Sequence, residues 1–222
     1  MVKRFKMHVT PMAHHWIVDK FYEMEDFKRF LDSAIEKEKK LISERGKKAT
    51  AGMSKEEADQ YFEMLSEDYF MVADIFSKIS FHSFLVILYA FIEEGMNNLC
   101  DALRQDKELK LRRTDMKGKG IKRAKVYLTK VIGIDLQVED EPWREINALR
   151  KIRNAIVHDE GWASDQIVND VNIRKNVDKG FLEIEDRDGT PGKVIIKPEY
   201  LDWVVSQAQE FFRNIDTRAV FS

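Results

Sequence analysis

Cysteine is almost missing from this 222-residue chain, which has one, Cys100. A single thiol closes no intrachain disulfide and leaves no cysteine cluster for a metal, so a reducing, cytoplasmic setting is expected. Proline (four) and glycine (ten) are scarce, which excludes collagen-like and low-complexity chains. Long apolar runs are lacking as well. The longest, Phe84 to Ile92, has nine residues, against the roughly 20 that cross a bilayer. The basic start MVKRFKMHVTP has no apolar stretch behind it and does not read as a secretion signal. No membrane partner is expected. Charge of one sign is absent too: 37 Lys and Arg against 39 Asp and Glu leave −2. A surface that grips nucleic acid all over would be far more basic, so any polyanion contact must be local.

What is present is enough for a core: 44% of residues are apolar and 11% aromatic. From Trp16 to about Glu44, apolar residues recur at Ile17, Phe21, Met24, Phe27, Leu31, Ala34 or Ile35, and Leu41 or Ile42, one stripe of a long amphipathic helix. GKKATAGM (46–53) interrupts it, and Ser54 with Glu57 three residues on forms a capping-box start. A second stripe follows through Ala58, Phe62, Leu65, Tyr69, Val72, Phe76 and Ile79, so residues 1–79 are expected to form a helical hairpin. Residues 81–105 are apolar nearly all round in their first half, as a central bundle helix would be. A helix resumes near Ile121 and stops at Gly133; another opens at Pro142 and stops at Gly161. FLEIE (181–185) and KVIIK (193–197), joined by DRDGTPG, read as a β-hairpin, and Pro198 opens a last amphipathic helix. The expected fold is an all-α helical bundle over 80–222, carrying one small β-hairpin at about 181–197, behind the N-terminal hairpin.

The sharpest local feature is Arg153-Asn154-Ala155-Ile156-Val157-His158. At about 100° per residue, Leu149, Ile152 and Ile156 share a core face, while Asn147, Arg150, Asn154 and His158 form a second stripe and Arg153 lies on the flank. An imidazole moves protons near neutrality. A guanidinium matches phosphate oxygens and stays charged. Such a trio suits RNA cleavage without metal or cofactor. His158 would serve the ribose 2′-hydroxyl or the leaving 5′-oxygen, and Arg153 would hold the charge growing on phosphorus. Fourteen Arg and five His give roughly 0.3 chance Arg-x4-His pairs; requiring Asn after Arg lowers this to about 0.01.

LRKIRNAIVHDEG resembles the Arg-x4-6-His signature of HEPN (higher eukaryote and prokaryote nucleotide-binding) domains, where a polar residue often follows the Arg. The resemblance extends over about residues 80–215. It implies a four- to five-helix bundle, a homodimer whose two motifs face one shared, composite active site, and a metal-independent endoribonuclease of toxin–antitoxin or antiviral type. Carried over residue by residue, Arg153, Asn154 and His158 are the catalytic candidates. Asn147, Arg150 and Lys151 on the preceding turns are the RNA-binding candidates. RNA, a second copy of the chain, and an antitoxin or regulatory protein are the implied partners. One departure concerns the Tyr often found two residues after the His in toxins controlled by adenylylation; here it is Glu160.

Each feature also has a plainer reading. Arg153 can pair with a carboxylate such as Glu93 or Glu94, and His158 can cap a helix end. The helical module would then be a non-catalytic dimerising domain that binds a protein partner or nucleotide. Between Arg104 and Lys130 there are eleven basic residues against three acidic ones, either an RNA guide or a solvated loop. His8, His14 and His15 have no carboxylate at ligand spacing, so no metal site is expected there.

Overall fold

The computed structural model describes residues 10–215. It is an all-α bundle with a single two-stranded antiparallel hairpin placed before the last helix, as expected. Helix α1 (Thr10–Thr50) runs past the expected stop, because 46–50 stay helical and only Ala51 to Met53 turn. Ser54 then caps α2 (Lys55–Phe70) with the anticipated capping box: its N–H donates to Glu57 Oε2 (2.9 Å), and the Glu57 N–H donates back to Ser54 Oγ (3.3 Å). A π-helical turn (Met71–Phe76) joins α2 to α3 (Ser77–Asp106) without a break.

The two halves of α1 have different surroundings. Ile17, Phe21 and Met24 enter the main core, where the Phe21 ring meets Phe91 at 4.9 Å and Phe212 at 5.6 Å between centroids. Farther along, α1 leans on α2 and the π turn, and Ile42, Leu65 and Val72 make a small separate cluster. Phe62, Tyr69, Phe76 and Ile79, four members of the expected second stripe, are therefore exposed. The wide π turn also shifts the helical phase between Tyr69 and Phe76, so one straight stripe cannot stay on one face. Lys28, buried on α1, reaches Asp32 and Asp202 at 2.6 Å each and so ties α1 to the last helix.

Helix α3 is the axis of the bundle, with Phe84, Leu85, Leu88, Ile92, Met96 and Leu99 fully enclosed. At Gly95 a β-carbon would lie 3.0 Å from Phe212 Cζ and 3.2 Å from Ile17 Cγ2, so glycine permits α1, α3 and the last helix to meet there. The rod from Lys55 to Asp106 passes a membrane-span test by length and composition, with an 18-residue window of mean hydropathy 1.8. Counting unbroken apolar runs missed it. A core helix of a soluble protein passes the same test, and the placing of α3 inside the bundle is compatible with that.

Helix α4 (Gly120–Val126) and a π turn (Tyr127–Ile132) end at Gly133, whose φ of 90° fits the expected stop. Helix α5 (Glu141–His158) follows. Two short helices that periodicity did not reveal come next, α6 (Asp165–Val168) and α7 (Val171–Asp178). Asp170 caps α7 by accepting from the Asn172 and Ile173 N–H groups (2.8 and 3.0 Å). Strands β1 (Leu182–Arg187) and β2 (Thr190–Ile196) are longer than expected. Asp188 and Gly189, both at positive φ, make a two-residue turn inside the segment read as loop. Helix α8 (Pro198–Asn214) closes the bundle against α1 and α5.

Candidate functional site

Helix α5 is anchored from below. Ile146, Leu149, Ile152 and Ala155 are buried, and Glu145, 2% exposed, accepts from Asn176 Nδ2 (2.9 and 3.0 Å) and the Tyr200 hydroxyl (2.9 Å). Burial raises the Glu145 pKa against the opposing effect of those donors. At its far end the Gly161 N–H, at φ 86°, donates to Ala155 O (2.8 Å). Strand β2 clasps the following residues through Ala163 N–H to Gly192 O and Val194 N–H to Gly161 O, each 2.9 Å. The motif is thus carried on a helix fixed along its length and at its end.

Arg153 and Asn154 are brought together: Arg153 Nη1 donates to Asn154 Oδ1 at 3.1 Å. The Arg153 guanidinium carbon stands 5.4 Å from the ring centroid of Tyr89, a cation–π contact with α3. Its Nε is sealed from solvent and meets no acceptor among the described residues, and the same holds for Arg150 Nε. Among the described residues no carboxylate forms an ion pair with either arginine. Glu94 is exposed, while Glu93, one turn along α3 from Tyr89, is half-buried beside Gly120 at the start of α4.

His158 is exposed at the end of the helix and has no hydrogen-bond partner among the described residues. It lies five positions after Arg153, which at about 100° each turns the two side chains roughly 140° apart. One chain therefore does not bring the guanidinium and the imidazole together. Asn147 Nδ2 donates to its own helix at Trp143 O (3.0 Å). Lys151 is engaged by Asp170 at 2.6 Å, so its charge is already matched and it ties α5 to the cap of α7.

The basic stretch before the motif is partly pinned. Arg113 reaches Asp101 at 3.4 Å, the Tyr127 hydroxyl donates to Leu111 O at 2.7 Å, and Lys125 Nζ stands 5.3 Å from the Trp143 ring centroid. Lys117, Lys119 and Lys122 are exposed. His14 Nε2 lies 2.6 Å from Phe212 O and His15 faces Asp19 at 3.1 Å, so the two diverge; Asp19, four residues after His15 on α1, is a carboxylate at facing helical spacing that the sequence reading overlooked, and His8 lies outside the described residues.

Sequence reasoning missed Tyr89 and His82. Tyr89 had a signal: it is the one tyrosine in the apolar stretch 81–105, and a polar tip there needs a reason. His82 lies two turns before it, with its ring 3.6 Å from where a Gly161 β-carbon would be. Burial first, then Lys78 and Lys193, lower its pKa to about 4. His82 also lines a cleft of about 700 Å³ between α1, the first π turn, the start of α3 and the hairpin; Arg153, Asn154 and His158 do not. No family model matches the chain, and comparison with characterised proteins and with solved structures gives no match either.

Proposed function

We propose that the protein is a metal-independent endoribonuclease that cleaves RNA through attack of the ribose 2′-hydroxyl, acting as a toxin or phage-defence effector. One observation carries the reading: among the described residues, a guanidinium without a carboxylate partner, hydrogen-bonded to Asn154, on a helix that ends in an exposed imidazole with no hydrogen-bond partner. His158 moves the proton of the attacking hydroxyl or of the departing 5′-oxygen, Arg153 bears the negative charge growing on the phosphoryl oxygens, and Asn154 orients Arg153. A second copy of the chain completes the site, because the two groups turn away from each other on one helix. Phe27 and Phe30 of α1, with Ile79 and Ile87 of α3, are exposed apolar side chains that a second copy would cover.

Cleavage is expected to stop when a 2′-deoxy sugar replaces the ribose at the cut site. R153A is expected to lose about 10²-fold or more in rate. Equal cutting of ribose and deoxyribose links, or full activity in H158A protein free of contaminants, would refute the assignment. Those same exposed apolar side chains also favour a second reading, a non-catalytic dimerising module. Stable dimers without any RNA cleavage would establish that one.

A further inference from the structure

Between α3 and α5 the charges do not balance. Arg150 and Arg153, three residues apart, both lie on the side of α5 that faces Tyr89, and both enter the electrostatic surroundings of that ring, as does Glu93. Two guanidiniums with one carboxylate nearby leave one positive charge over, and both Nε groups are already removed from water without an acceptor among the described residues. Like charges on neighbouring turns of one helix repel, and an anion placed between them relieves that repulsion.

We propose that Tyr89 and Arg150 are phosphate-binding residues acting beside Arg153, and that the cationic cluster they form takes the singly charged phosphodiester of an internal RNA link. The charge count selects the ligand class: one phosphodiester brings the set to neutrality, whereas a terminal phosphate, with nearly two charges, overshoots it. Tyr89 contributes twice. Its ring seats the Arg153 guanidinium at 5.4 Å, and its hydroxyl, which meets no acceptor among the described residues, is a donor for a phosphoryl oxygen. Burial, with Glu93 adding to it, raises the Tyr89 pKa, so the hydroxyl keeps its proton throughout the neutral range. Glu93 limits the site to one added negative charge. The inference rests on the RNA reading above, but it concerns binding and not the chemical step.

The test is binding of a fluorescein-labelled 2′-O-methyl oligoribonucleotide of mixed sequence, which cannot react through its 2′ position, to the full chain across a salt series. R150A is expected to bind about tenfold more weakly and to flatten the slope of log K against log salt by about 0.7, the share of one single-strand phosphate contact. Y89L is expected to weaken binding about tenfold, Y89F about threefold because the ring remains, and E93Q to tighten it. R150A and Y89F carry the test should Y89L not fold. Unchanged affinity and slope in both, or a wild type that binds no oligonucleotide at low salt, would overturn the proposal. A wild type that binds as described yet cuts no RNA would overturn the nuclease reading and leave this one standing.

Discussion

At the scale of single residues, two arginines and one glutamate are handled in opposite ways. Glu145 is buried but fully engaged by Asn176 and Tyr200, so α5, α7 and α8 share one polar knot. Removing its carboxylate strands both donors, and E145A is expected to lose about 2–4 kcal/mol in urea unfolding. Because burial raises its pKa, the folded state holds the Glu145 proton more firmly than the unfolded chain does. Its contribution is thus largest at acidic pH and declines as pH rises through the elevated pKa; E145Q should remove that decline. Arg150 and Arg153 are half-buried with no carboxylate paired to either among the described residues, which is costly for stability and useful for an anion. The spacing of Arg153, Asn154 and His158 was legible because helical geometry needs only the sequence. Tyr89 was not, since its ring contact joins residues 64 positions apart in chain order.

At the scale of elements, periodicity placed the long helices, the capping box and the stops at Gly133 and Gly161, all of which are set by local chemistry. It located the second stripe but not how much of it is buried, because burial depends on whether a partner helix is there. It also shortened the hairpin, since a two-residue Asp-Gly turn lets the ladder continue into a polar segment. The packing at Gly95 could not be read from sequence at all. G95L should cost about 2–3 kcal/mol by forcing Ile17 and Phe212 aside, measured by thermal or urea unfolding. His82 joins the start of α3 to the turn after α5 and to the hairpin. Its pKa, lowered to about 4 from 6.5, means the unfolded chain takes up a proton first as pH falls. Stability from this group is present above pH 6.5 and is lost as pH drops from there towards about 4; H82Q should flatten the melting-temperature profile across that window.

At the scale of the whole molecule, near-zero net charge makes any RNA contact a local one, and 104–130 carries a local basic excess. The exposed rings on α1 and the apolar side chains on α3 call for a cover, and a second copy supplies it in the composite-site reading. Wild-type protein is therefore expected to sediment as a dimer. Phe30→Glu with Ile87→Glu should yield monomers that have lost cleavage, whereas a monomeric wild type with full activity would refute a shared site.

Incubating the purified chain with single-stranded RNA in excess EDTA, then determining the chemistry of the new 3′ ends by mass spectrometry, decides whether Arg153 and His158 make a nuclease. Ends bearing a 2′,3′-cyclic phosphate or a 3′-phosphate, formed by wild type and missing with H158A, are the expected result. Intact RNA, 3′-hydroxyl ends, or the same products from H158A would contradict it.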